Sequence, residues 1–137
     1  MNMKRIFRAL ALAALIAGPS APSGAASRFG EPALSKDALE KAIAKAEAFP
    51  LGSPDNPVRV EMPMGQRAYL DRLRCADGHA PGYERSGNVG PGVYETIVDN
   101  YVVDCGASAP GIVNIQMDMY HPGHIENRPV AGFTIAP

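Results

Sequence analysis

The stretch Ile112-Val113-Asn114-Ile115-Gln116-Met117-Asp118-Met119 decides the fold. Val113, Ile115, Met117 and Met119 share one parity, and Asn114, Gln116 and Asp118 share the other. That is the period of a strand with one buried and one polar face. Upstream, Tyr94 to Cys105 puts Ile97, Val98, Tyr101, Val102 and Val103 on both parities, as a central strand does. Val58, Val60, Met62 and Met64 alternate with Arg59 and Glu61 and predict another strand, its end confined by Pro63 to an edge or bulge. This parity places Met62, Met64, Met117 and Met119 as core fillers. Arg67 to Cys75 is read as a strand, although a short helix explains its apolar positions almost as well. Ala76 to Gly92 holds Gly78, Pro81, Gly82, Gly87, Gly90, Pro91 and Gly92 and reads as a long loop with at most a short extended piece. Val130 to Ile135 reads as a last short strand.

One helix precedes these strands. Ser35 can accept an orphan backbone N–H at its start, and Asp37 suits the positive helix end. Leu39, Ala42, Ile43, Ala46 and Phe49 form the apolar stripe, and Phe49-Pro50 ends it. No second helical segment is expected to serve as a crossover, so the strands should pair mainly antiparallel. The expected fold class is α+β: one N-terminal amphipathic helix packed on a mainly antiparallel sheet of about four or five strands, within a single domain at residues 35–137.

The chain has 137 residues, 46% of them hydrophobic and 20% charged, with a formal charge of −1. This composition excludes disordered, collagen-like and strongly basic nucleic-acid-binding classes. Lys4, Arg5 and Arg8 precede the apolar run Ala9 to Ala17, which is broken by Gly18-Pro19 and followed by small residues up to Ala26. The pattern is that of a secretory signal peptide over residues 1–26, with residues 27–34 as a linker. The run is far shorter than the roughly twenty residues a bilayer span needs, so no stable membrane insertion is expected after processing. Cleavage after Ala26 would leave ten basic against fourteen acidic side chains, a poor balance for nucleic acid. In the periplasmic or secreted location this implies, Cys75 and Cys105 are expected to form one disulfide.

The segment most suggestive of chemistry is Met117 to Glu126, which places Asp118, His121, His124 and Glu126 within nine residues. An H-x-x-H spacing across Pro122-Gly123 could bring two imidazoles onto Zn or Cu with Glu126, and His79 could join them if the fold brings it near. A second possibility is acid–base catalysis by His121 or His124 with Glu126, aided by Arg128, as in a small secreted hydrolase. No G-x-S-x-G, H-E-x-x-H or Walker A pattern is present, and no catalytic residue is assigned. Gly87 to Gly92 lacks the strand-to-helix context of a phosphate loop and reads as a turn. Asp99 lies on a face expected to be buried and needs a partner, for which Arg72 or Arg74 is the candidate.

Tyr69 to Gly78, Ile97 to Cys105 and Met117 to His124 together resemble small secreted bacterial proteins without an assigned activity. The resemblance implies a bacterial envelope address and no mechanism. The expected function is therefore a non-enzymatic exported binding or envelope-accessory domain, taking a protein or small ligand on its sheet face or on the His121 to Glu126 loop. The alternative is a metal-binding protein or small hydrolase centred on that loop. Convergence of His79 with His121 and His124 would favour metal, and burial of Glu126 beside a histidine and Arg128 in a cleft would favour catalysis.

Overall fold

A computed structural model describes residues 31–137; the leader expected at residues 1–26 and the first half of the linker lie outside them. Helix α1 (Lys36–Ala46) begins as expected, with the Ser35 hydroxyl accepting the Ala38 N–H at 3.3 Å. Only Ala46 within it is buried, so α1 meets the rest of the domain mainly at its C-terminal end. There follow β1 (Val58–Arg59), α2 (Met62–Arg72), β2 (Leu73–Arg74), β3 (Gly82–Pro91), β4 (Ile97–Asp104), β5 (Ile112–Asp118) and β6 (Thr134–Ile135). The main sheet has the order β1-β5-β4-β3, and β2 pairs with β6 in a small second sheet. All pairs are antiparallel except β1 with β5. The class is α+β, as expected, with two helices rather than one.

Helix α2 replaces the end of one predicted strand and most of another. Pro63 explains the start, because a proline in the first turn forfeits an N–H that has no intrahelical acceptor anyway. Gln66, Tyr69, Leu70 and Leu73 then recur at helical spacing and are all buried. The alternation that begins at Val58 ends once the chain turns at Met62, which has φ 59. Met117 is fully buried as predicted, but Met64 is 73% exposed on the helix, not in the core.

Two further expectations are corrected. The glycine-rich segment is not mainly loop, because Gly82–Pro91 forms the ten-residue edge strand β3. Its register shifts between Arg85 and Gly87 and again between Asn88 and Pro91, where the positive-φ residues Gly87 and Gly90 lie. Exposed for most of its length, β3 has no apolar alternation to announce it. The last strand contracts to Thr134–Ile135, with Phe133 N–H closing a turn onto the Val130 carbonyl.

Central strand β4 places Asp99, Tyr101 and Val103 opposite Met117, Ile115 and Val113 of β5. Helix α2 binds this face through Gln66, which donates to Asp99 Oδ2 at 3.0 Å and accepts the Tyr101 hydroxyl at 3.0 Å. Asp99 is buried as expected, but its charged partner is Arg85 on β3, at 2.6 Å. Arg72, at the end of α2, and Arg74, in β2, are bound to other groups. Arg72 donates to the Ala136 and Glu126 carbonyls, and Arg74 to those of Asp71 and Leu73. On the opposite face Asn100, between Val98 and Val102, bridges Ser86 and Asn114.

The disulfide joins Cys75, just after β2, to Cys105, just after β4, with a sequence separation of 30. Both cysteines are buried with the core. Chain entropy for such a loop corresponds to about 3–4 kcal/mol. Cys75→Ala should therefore lower the unfolding free energy by about that amount in urea titration. An unchanged midpoint would remove the bridge from the account of stability.

Candidate functional site: the cleft beneath the His121 to Arg128 loop

Beyond β5 the chain is fastened along the edge of β1. Val60 N–H donates to the Asp118 carbonyl at 2.9 Å, Met62 N–H to Met119 at 2.8 Å, and His121 N–H to Val60 at 3.2 Å. A turn follows, closed by His124 N–H on the His121 carbonyl at 3.1 Å, and Gly123 takes the positive φ of 72° that a Cβ would strain. The loop thus crosses the sheet edge and comes to lie beside α2.

At its near end Asp118 is fully buried. It accepts the Thr96 hydroxyl and the Tyr120 N–H, and its Oδ1 lies 3.5 Å from His121 Nε2. The His121 ring stands edge-on to Tyr94, with centroids 5.0 Å apart. Both rings are buried, and neither His121 Nε2 nor the Tyr94 hydroxyl has a hydrogen-bond partner among the described residues. Burial also pushes the Tyr94 hydroxyl pKa above its ordinary value.

At the far end Glu126 is 4% exposed. Arg128 answers its charge with three bonds: its backbone N–H and Nε reach Oε1 at 2.9 and 3.0 Å, and Nη2 reaches Oε2 at 3.0 Å. The same guanidinium holds Glu47, at the C-terminal end of α1, with bonds of 2.6 and 3.1 Å. Burial alone would raise the Glu126 pKa, but the bonds from Arg128 outweigh it and hold the carboxyl below its ordinary range. Glu47 is lowered too, chiefly by its hydrogen bond from Arg128. The Tyr69 hydroxyl on α2 donates to the Arg128 carbonyl at 2.9 Å, which ties the same hub to the core.

Between these ends lies His124, whose Nε2 is 3.7 Å from Glu126 Oε2 and has no hydrogen-bond partner among the described residues. Burial, and then the charge of Arg59, hold its pKa below the ordinary value, so the ring is neutral at neutral pH. It borders a cavity of about 170 Å³ lined by Val60, Gly65, Ala68, Tyr69, Arg72, His124, Ile125 and Glu126. A more open groove of about 460 Å³ shares Gly65, Ala68, His124 and Ile125 and adds Glu61, Met62 and Met64. A separate groove of about 330 Å³ between α1 and Val93 contains none of the candidate residues.

The structure therefore brings His121, His124, Glu126 and Arg128 into one region. His79 is elsewhere, on the exposed loop after Cys75, paired with Asp77. No group of three or more His, Cys, Asp or Glu side chains able to hold a metal occurs among the described residues. Asp118 and Glu126 are already committed to protein donors. Sequence reasoning missed Glu47, Arg59, Tyr69 and Tyr94, which reach the site from distant parts of the chain.

Comparison with protein-family models, with curated proteins and with solved structures gives no match to this chain. No helix among the described residues is long and apolar enough to cross a membrane.

Removing Arg128 leaves Glu126 buried without its counter-charge. Because Arg128 itself is half exposed, Arg128→Met should cost about 2 kcal/mol near pH 7. The carboxyl pKa is lowered in the folded protein, so this stabilisation is present above the ordinary value of 4.5 and is lost as pH falls through the lowered one. The gap between wild type and variant, measured by urea unfolding, should therefore close on acidification. A gap independent of pH would contradict the pairing.

Proposed function

We propose that this chain is an exported binding domain that takes a neutral, apolar group in the cleft between α2 and the His121 to Glu126 turn. The observation that carries this reading is the cavity of about 170 Å³, whose mostly apolar lining runs up to the unpartnered Nε2 of His124. Apolar walls favour burial of an apolar group, and the one unpartnered polar atom at the end, itself buried, can fix its orientation. Its nearby charges are already answered: Glu126 by Arg128, and Arg72 by the Ala136 and Glu126 carbonyls and the Asn127 side chain. A charged ligand inside the cavity would find its lining charges already paired and would lose its hydration. Met64 and Ile125, 73% and 71% exposed at the mouth, supply adaptable apolar contact. An address outside the cytoplasm is supported by the buried disulfide and by the leader-like segment at the start of the sequence.

The neutral fluorophore N-phenyl-1-naphthylamine tests this directly. It should bind saturably, and Ala68→Phe, which fills the groove from the exposed side of α2, should weaken binding about tenfold. Absence of saturable binding, or equal binding by the variant, would overturn the proposal.

A second reading, a hydrolase, draws on one observation. Glu126 is buried beside His124 and Arg128 at a cleft, the arrangement that favours acid–base chemistry. A neutral His124 could accept a proton while Arg59, whose charge reaches it, met developing negative charge. This reading requires turnover of p-nitrophenyl acetate or bis-p-nitrophenyl phosphate that His124→Ala abolishes. Rates equal to the uncatalysed reaction would reject hydrolysis of these ester classes.

A further inference from the structure

We propose that the His121 to Arg128 loop is a gate over this cavity and that Arg128 latches it shut against helix α1. The inference rests on the reading of the cavity as a binding site. Floor and wall come from different parts of the chain. Val60, between β1 and α2, and Gly65, Ala68 and Tyr69 of α2 form one side, with Val60 and Tyr69 buried in the core, whereas His124 and Ile125 belong to the loop. The loop is held at one end by the His121 N–H on Val60, and at the other by Tyr69 and Arg72 of α2 on its backbone and by the Arg128 side chain on Glu47 of α1. Between them, the His124 N–H bonds only to the loop's own His121, and Gly123 has open space around it. Such a segment can swing as a unit about its Pro122-Gly123 turn.

The latch spans two elements that otherwise meet little, because α1 buries only Ala46. Arg128 joins Glu47 of α1 to Glu126 of the loop, so one side chain couples the wall of the cavity to the helix. The groups around it are Glu47 from α1, Arg59 from β1, Tyr69 and Arg72 from α2, Tyr94, and Asp118, His121 and His124 from the end of β5 and the loop itself. Acid should favour opening. His124, with its pKa lowered when buried, takes up a proton more readily once exposed, so closure begins to weaken as pH falls below the ordinary 6.5. Glu47 and Glu126, also lowered, add to this below their ordinary 4.5.

Amide hydrogen exchange on the full chain reads the gate without any ligand. Glu47→Gln removes the outer half of the latch at the surface, where the fold tolerates it. It should lower the protection of the His124 and Arg128 amides about threefold, while Tyr101 and Ile115 in β4 and β5 keep theirs. Wild type should lose protection at the same loop amides between pH 7 and pH 5.5, after correction for intrinsic rates. Unchanged loop protection, or an equal loss across the core strands, would overturn the gate. Loop opening in a protein that fails to bind N-phenyl-1-naphthylamine would instead refute the binding proposal and leave the gate standing.

Discussion

Burial of Glu126 is the constraint on which the arrangement around the cleft depends. A carboxylate taken almost completely out of water needs a counter-charge and hydrogen bonds. Arg128, two residues on, supplies both, and the chain must therefore curl tightly enough for a residue to clasp its near neighbour. That curl brings the Arg128 carbonyl to the Tyr69 hydroxyl, which itself accepts the Val130 N–H. Loop, helix α2 and the start of the C-terminal tail are thus fixed together around one pair of charges, and the cavity is the space left between them.

The same logic operates on the other side of α2. Asp99 is a second buried carboxylate, and it is satisfied by Gln66 from the helix and Arg85 from the edge strand. Because Gln66 also accepts the Tyr101 hydroxyl, the helix is fixed to the central strand by directional bonds as well as by apolar contact. Asp118 is the third, answered by Thr96 and the Tyr120 N–H. Asp99 takes both partners, and Asp118 one of its two, from a distant part of the chain, and Arg128 carries the Glu126 charge on to Glu47, so these carboxylates orient the elements that the apolar core merely holds together. Non-directional burial could not choose among neighbouring registers so sharply.

How much of this was legible in the sequence depended on whether a local period existed. Strand β5 and central strand β4 were readable because burial imposes a pattern on them, and α1 because its cap and stripe are local. Helix α2 was not, since Val60, Met62 and Met64 continue a strand's parity into the helix and Pro63 fits either a strand end or a helix start. Edge strand β3 escaped because exposure on both faces leaves no pattern to find. At the site, proximity in sequence correctly grouped His121, His124, Glu126 and Arg128. Glu47 lies 81 residues from Arg128, and no local rule could pair them. Asp99 shows the same limit: its need for a partner was evident, but the partner was Arg85, supplied by strand pairing that the glycine-rich segment concealed.

What most directly tests the account is the location of the binding site. Titrating N-phenyl-1-naphthylamine into isotopically labelled protein, and following backbone amide shifts by NMR, reports where an apolar group settles. The account predicts saturable shifts centred on Val60, Ala68, His124 and Ile125, with Asn100 and Asn114 on the opposite sheet face undisturbed. Shifts centred instead on Ala46, Phe49 and Val93, or no saturable shifts, would contradict it.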